Sequence, residues 1–353
     1  MIVNVCGFGW SGSGAYLDLL KEYEEVCLPS DEDWEFNLLW APDGIYDLEQ
    51  KLCTKHCRIF DSDLAINRFL DNAKIYGDKN RVFRYDSLFK KPFYISCKEY
   101  IDSLVQFEFE AHCFLHNLHP NKKDQFVHYY NKILSKLFRN RLSINIGGNF
   151  LYDYLYRETS HKMYVSYTPE NFLGSTQDFL DNLFSQLRKD KSKILVLNQS
   201  VSPDMPHLFD KYFKEKHKTI VVRRDPRDTY LTIKKLTGKP MCVPQTVDEF
   251  IFFYKKTIAD TKLPDSDTLL SLNFEDLMYD YDSTVAKIEN FLGLNNHVFK
   301  EYYFKPQISI NNTQLKDLYP QYSKDILKIE IELADQLYHF DDQKFKRTST
   351  RIF

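Results

Sequence analysis

Residues 2–15 read IVNVCGFGWSGSGA, and this stretch decides the fold. Its first five residues are almost all apolar and predict a buried strand, and residues 15–22 carry apolar side chains at helical spacing. A glycine-rich turn joins the strand to the helix, and a short strand follows near residues 25–28. Such a β-loop-α-β opening predicts a parallel, doubly wound α/β sheet.

The glycine-rich turn is also the first candidate binding site. Glycines allow backbone N–H groups to come close to a ligand, and the start of a helix adds unpaired N–H groups and partial positive charge. Together these features are typical of a phosphate site, to which Ser11 and Ser13 would add hydroxyl donors.

Several interpretations of this turn remain open, including a purely structural one. The glycines at positions 7, 9 and 12 match the dinucleotide-binding fingerprint, and Asp31 follows near where a ribose-binding acid belongs. The same spacing fits a Walker A motif, but Ser13 stands where that motif needs Lys, which disfavours a kinase or NTPase. A loop that wraps a phosphosulfate group is the third possibility.

A second constellation follows a later apolar run. Residues 219–228 read TIVVRRDPRD, a buried strand that leads into paired arginines and a proline suited to the first turn of a helix. Arg224 falls at the carboxyl end of the strand, where open α/β sheets bind ligands, and its guanidinium suits phosphate. Thr232 lies eight residues on, about two helical turns later. The alternative is a surface cluster of ion pairs among the neighbouring charged residues.

These residues resemble the family of sulfotransferases that use 3'-phosphoadenosine 5'-phosphosulfate (PAPS). The family carries a strand, an Arg-Asp-Pro-Arg-Asp motif and a Ser eight residues after the first Arg. The resemblance implies that Arg224 and Thr232, which replaces that Ser, hold the 3'-phosphate. It also implies that the loop holds the 5'-phosphosulfate through Trp10, Ser11, Gly12, Ser13, Gly14 and Ala15.

A third block agrees with the family in order and spacing. Residues 272–277 read LNFEDL and resemble the family's strand-to-helix segment, and the helix that follows is similar too. Phe274 replaces the family's Tyr, so the resemblance implies an aromatic ring near the adenine without its hydroxyl. Residues 309–316 correspond loosely to a further nucleotide-binding segment, which makes Lys316 a candidate binding residue.

The resemblance covers roughly residues 1–50 and 190–340. Apolar spacing predicts a mainly helical insertion between residues 55 and 190, which we expect to shape the acceptor side. We therefore expect one domain over residues 1–353, with a P-loop-like doubly wound parallel sheet, flanking helices and this insertion.

One departure from the family concerns charge. Many members carry Lys or Arg just before the Ser-Gly of the loop, where this chain has Trp10. Another cation would then have to steady the leaving phosphate, and Lys316 is one candidate and Arg227 a poorer one.

Two alternative functions remain open. One is a non-catalytic relative that only binds, and the other is an NAD(P)-binding enzyme built on the dinucleotide fingerprint.

Transfer to a hydroxyl or amine needs a general base, and the sequence offers two candidates. Family members often place a carboxylate or His on the segment after the first helix, which here reads DEDWEF at residues 31–36. Glu35 is the first candidate, because the aromatic residues on either side of it would desolvate its carboxylate. His207, beyond the apolar run 194–197, is the second.

Composition limits the partners and the compartment. The net charge of −3 leaves no basic excess that would indicate nucleic acid. The apolar stretches fall short of the ~20 residues of a membrane span, and the start lacks the basic region of a signal peptide. The seven cysteines are widely spaced and odd in number, which is typical of a reduced compartment. We therefore expect a cytoplasmic protein without a membrane span.

The resemblance also implies the ligands. PAPS would be the donor and adenosine 3',5'-bisphosphate the product, and this stable leaving group requires no metal. Cys53 and Cys57 lack the second ligand pair of a structural zinc site, so we expect no metal. The loop and residues 43–49 resemble bacterial sulfotransferases linked to surface polysaccharide, which implies a glycan or glycolipid acceptor.

Overall fold

The computed structural model describes most of the chain. The residues described are 1–30, 34–54, 58, 60–81, 83–111, 122–138, 160–188, 190, 193–236, 244, 246–341, 343 and 347–349. The strands are β1 Ile2–Gly7, β2 Val26–Cys27, β3 Phe107–Ala111, β4 His161–Val165, β5 Ile194–Asn198, β6 His217–Arg223 and β7 Leu269–Asn273.

The helices differ widely in length. They are α1 Ser13–Leu20, α2 Ile45–Glu49, α3 Asp61–Gly77, α4 Phe93–Leu104, α5 Lys122–Phe138, α6 Phe172–Leu187, α7 Pro226–Leu236, α8 Val247–Tyr254, α9 Asp276–Tyr279, α10 Tyr281–Leu292, α11 Pro306–Ser309 and α12 Ser323–Glu332. A short 3-10 turn, Pro206–Tyr212, connects β5 to β6.

Five of the described strands form one all-parallel sheet in the order β2-β5-β1-β6-β7. The side chains of β1 alternate between its two faces: Val3 and Val5 pack in the layer that contains α1 and α10, and Ile2 and Cys6 in the layer that contains α3, α4 and α6. Helices thus cover both faces, as apolar parallel strands require. The predicted doubly wound α/β sheet with flanking helices is confirmed.

The segment 55–190 contains four helices in its described part, α3 to α6, together with the antiparallel pair β3–β4, which the sequence did not predict. Helices α3, α4 and α6 pack in the same hydrophobic layer as Leu195 and Leu197 of the central sheet. This segment and the sheet therefore share a core. Within the part of the chain described, no helix has the length and apolarity needed to cross a bilayer.

The strands β1, β5, β6 and β7 all end at one edge of the sheet because they are parallel. From β1 the chain crosses to one side to form β2 and β5, and later to the other side to form β6 and β7. The edge above β1 is therefore the topological switch point, where open α/β sheets bind their ligands.

Candidate functional site

The turn after β1 is tight and packs against the segment that follows β7. The N–H of Ser11 donates to the carbonyl of Phe8 at 2.9 Å, and the N–H of Ala15 donates to the carbonyl of Gly12 at 3.1 Å. Gly12 has a φ of +81°, and a Cβ there would lie 2.3 Å from the ring of Phe274. Only glycine meets both demands, so the predicted aromatic residue of the third block lies directly against the loop.

Arg224 links three segments that are far apart in the sequence. The residue is 3% exposed. It donates to the carbonyl oxygens of Trp10 at 2.9 Å and Asn312 at 2.6 Å, and lies 5.1 Å from the centre of the Phe274 ring. Trp10 has a φ of +68°, which is uncommon for a bulky residue. The turn after β6 therefore contacts the glycine loop directly, through Arg224 and the carbonyl of Trp10.

Two buried hydroxyls near these turns have no hydrogen-bond partner in the described structure. They belong to Ser11, in the glycine loop, and Thr232, on α7. Both side chains are buried. A buried hydroxyl without a partner is costly, and native structures satisfy the large majority of them. Each of these two hydroxyls thus lacks a partner that a bound ligand would supply.

The charged residues after β6 are buried rather than spread over the surface. Asp225 accepts two hydrogen bonds from the guanidinium of Arg227, at 3.0 and 2.8 Å, and Arg227 also pairs with Glu330 at 3.0 Å. Lys316 pairs with the same Glu330 at 3.5 Å. Both cations that the sequence offered in place of a loop Lys are thus engaged by carboxylates.

Two further carboxylates lie close to Arg224. Asp228 accepts hydrogen bonds from the N–H groups of Gln314 and Leu315, both at 2.8 Å. Burial and, next, the charge of Asp225 raise the pKa of Asp228 to about 7, although Arg224 lowers it. Burial, followed by the charge of Asp225, also raises the pKa of Glu275. Protonation in this cluster is therefore sensitive to any anion that arrives beside it.

A crevice of about 1140 Å³ opens above the glycine loop, large enough for a nucleotide. Arg224 and Thr232 are absent from its walls, but Arg224 contacts two residues that line it, Trp10 and Phe274. The walls come from three places: residues 8–15, the segment 302–312, and the side chains Asp18, Glu35, Gln199 and Ser349.

Glu35 lies on the wall of this crevice, as its candidate role requires. The N–H of Phe36 donates to the carbonyl of Asn198 at 2.8 Å, which ties the segment to the end of β5. Trp34 and Phe36 are buried in the core while Glu35 is exposed, so the flanking rings lie away from the carboxylate. The desolvation expected from these neighbours is therefore not what the structure shows.

His207 occupies a different part of the molecule. It lines a cleft together with Thr219 and Leu269, which stand near the amino-terminal ends of β6 and β7. That cleft lies at the edge of the sheet opposite to the glycine loop. Its position after β5 predicted that His207 would lie on the ligand-binding side of the sheet. The structure corrects this prediction, because the turn Pro206–Tyr212 leads back to the start of β6.

Gln199 is a site residue that the sequence did not single out. Directly after β5, its side chain donates to the carbonyl of Gly7 at 3.1 Å and accepts from the N–H of the same residue at 3.4 Å. Trp40 donates to the Gln199 carbonyl at 2.8 Å. Gln199 therefore fixes the start of the glycine loop relative to the neighbouring strand. A polar residue at the carboxyl end of a buried strand was the available signal.

Glu22 was also missed, and it fixes the segment 301–304, part of which lines the crevice. Its carboxylate is 0% exposed and accepts hydrogen bonds from the N–H groups of Glu301 at 3.1 Å, Tyr303 at 3.0 Å and Phe304 at 2.9 Å. His297 contacts the same carboxylate at 2.7 Å. A buried acid thereby holds the backbone of residues 301–304.

The strand order bears on the dinucleotide alternative. In the dinucleotide-binding fold the second strand lies next to the first, which brings its terminal acid to the glycine loop. Here β5 lies between β1 and β2, so β2 itself is two strand spacings, about 10 Å, from the loop strand β1. Asp31 itself lies outside the described residues. The topology disfavours a dinucleotide site.

Comparisons with known proteins add little to this geometry. No family model matches the chain, and no curated protein matches it. Among solved structures, it is similar to the "Sulfotransferase Domain from the Synechococcus PCC 7002 Olefin Synthase" at 15% identity and a TM-score of 0.37. The match covers 86% of this chain and 76% of that one.

Proposed function

We propose that this protein is a sulfotransferase that moves a sulfuryl group from PAPS to a hydroxyl or amine of an acceptor. The contact of Arg224 with the carbonyl of Trp10 carries the proposal, because it joins the turn after β6 to the glycine loop, which lines the crevice. A nucleoside that carries phosphate groups at both its 3' and 5' positions needs two anion-binding turns. The distance between the two turns should be about the width of a ribose ring.

The donor would be held from both ends. The N–H groups at the start of α1 and the hydroxyl of Ser11 would take the 5'-phosphosulfate. Arg224 and Thr232 would take the 3'-phosphate, which would replace the Asn312 carbonyl on the guanidinium. The buried hydroxyls of Ser11 and Thr232, which have no described partner, support this fit, as does the position of Phe274 between the two turns.

The chemistry proposed is an in-line displacement at sulfur. The acceptor oxygen or nitrogen forms a bond to sulfur as the bond to the phosphate oxygen breaks. The electron pair leaves on that oxygen, and the acceptor proton passes to the carboxylate of Glu35. As in phosphoryl transfer, we expect catalysis by positioning and electrostatic stabilisation of the spreading charge. The stable phosphate product requires no metal.

The acceptor is proposed to be carbohydrate, a glycan or glycolipid, and this rests on the resemblance of the loop and of residues 43–49. The crevice adds two exposed rings, Tyr302 and Tyr303, which suit stacking on a flat apolar face. The cysteine pattern supports a cytoplasmic location for the reaction.

A panel of nucleotides tests the donor assignment. Adenosine 3',5'-bisphosphate at 100 times its Kd should stabilise the protein by about 2.7 kcal/mol, measured by thermal shift and calorimetry. NAD(H) and NADP(H) serve as the comparison. Stabilisation by a dinucleotide with none by the bisphosphate would instead support the NAD(P) alternative.

Binding alone does not separate an enzyme from a non-catalytic relative. Transfer of labelled sulfate from PAPS to a panel of carbohydrate acceptors addresses this. Tight binding of the bisphosphate without transfer to any acceptor, and without release of bisphosphate from PAPS in water, would support the binding protein.

A further inference from the structure

The crevice has little positive charge for the ligand proposed for it. Of the described side chains that line it, two are acidic, Asp18 and Glu35, and one is basic, Lys305. The loop itself carries Trp10 where a cation is expected. Arg224 is buried and absent from the crevice walls, and the proposal assigns it to the 3'-phosphate. The 5' end of the donor is thus short of a cation.

Lys305 lines the crevice and is exposed. In the portion of the chain that the structure describes, no carboxylate lies within ion-pair distance of its ammonium group. In this it differs from Lys316 and Arg227, which both pair with Glu330. Its charge is therefore available to an anionic ligand.

The backbone before Lys305 is fixed relative to the glycine loop. Tyr303 and Phe304, the two residues before it, donate their N–H groups to the buried carboxylate of Glu22. Glu22 follows the end of α1, and the start of the same helix forms part of the loop. Helix α1 thus connects the glycine loop to the segment that carries Lys305.

We propose that Lys305 supplies the positive charge that the glycine loop lacks, by binding the 5'-phosphosulfate of the donor. This inference rests on the proposed function. In the transfer step the electron pair of the breaking bond stays on the phosphate oxygen, and an ammonium group near that oxygen stabilises the charge. Lys is suited to this as a compact point charge on a flexible stem.

Nucleotides that lack one phosphate show which end Lys305 binds. The affinities of adenosine 3',5'-bisphosphate, 5'-AMP and 3'-AMP are measured by calorimetry on Lys305→Met. We expect about a tenfold loss for the two ligands with a 5'-phosphate and no change for 3'-AMP. Lys305→Arg should recover most of the loss. The side chain is exposed, so these variants are expected to fold.

Lys300→Met is the matched control. Lys300 belongs to the same loop and is 55% exposed, but it contacts the ring of Tyr281 and is absent from the crevice wall. All three affinities should match those of the unaltered protein.

The outcomes separate this inference from the function on which it rests. Unchanged affinity for the bisphosphate in Lys305→Met, or an equal loss for all three nucleotides, would overturn the role of Lys305 and leave the donor assignment standing. If the unaltered protein binds none of the three, the proposed function is wrong and the role of Lys305 falls with it.

Discussion

The turns after β1 and after β6 lie at the same edge of the sheet, yet they would bind anions by different means. The first offers backbone N–H groups and a hydroxyl beside an open crevice, and its shape depends on Gly12 and on neighbours such as Gln199. The second offers Arg224, buried among three carboxylates. Loss of a side chain should therefore weaken anion binding most after β6, and anion binding should be coupled to protonation of a carboxylate only there.

Of the substitutions that test this difference between the two turns, Arg224→Ala should have the largest effect on ligand affinity and folding stability. It removes the proposed 3'-phosphate ligand and leaves Asp228 and Glu275 buried beside it without their cation, which should cost about 3–5 kcal/mol of folding stability. Calorimetry with adenosine 3',5'-bisphosphate and urea unfolding measure the two effects.

Arg224→Lys keeps the positive charge but loses the two parallel N–H donors of the guanidinium. It should therefore retain more of the folding stability than of the affinity for the bisphosphate. Unchanged affinity for the bisphosphate in a folded Arg224→Ala protein would remove the sulfotransferase assignment.

Glu35→Gln tests the open side of the site. If the carboxylate accepts the acceptor proton, turnover should fall about 10²–10⁴-fold while the affinity for the bisphosphate stays the same. Initial rates of transfer from labelled PAPS give the first quantity and calorimetry the second. Full turnover in this variant would place the base elsewhere.

The smallest expected effect is that Asp228 takes up a fraction of a proton when a ligand with a 3'-phosphate binds. Asp228 has a pKa of about 7, raised above its usual value by burial and by Asp225. A 3'-phosphate beside Arg224 adds negative charge, which disfavours the ionised carboxylate, raises its pKa further and draws a proton from solution near pH 7.

Calorimetry in buffers of different ionisation enthalpy measures this uptake. The bisphosphate and 3'-AMP should both show it, whereas 5'-AMP, which would bind only at the glycine loop, should not. Proton release, or equal uptake with all three, would contradict the assignment of the two ends.

Sequence reasoning succeeded where a pattern is local. The strand, glycine turn and helix at the start lie within about 20 residues, and Arg224 follows a buried strand directly, so burial and turn chemistry alone placed them at the carboxyl edge. It failed where placement depends on distant segments. Glu22 meets residues about 280 positions away, and His207 lies on the other edge because its turn leads back to β6.

The buried carboxylate of Glu22 also limits how this protein can be redesigned. A chimera that receives residues 297–305 from another protein, in order to change its ligand preference, must present the same three N–H groups to that carboxylate. Without them, a buried carboxyl group would be left without these hydrogen bonds, at a cost of several kcal/mol. Redesign is therefore best confined to substitutions of the side chains of Tyr302, Tyr303 and Lys305. Such substitutions leave the backbone N–H groups that bind Glu22 in place.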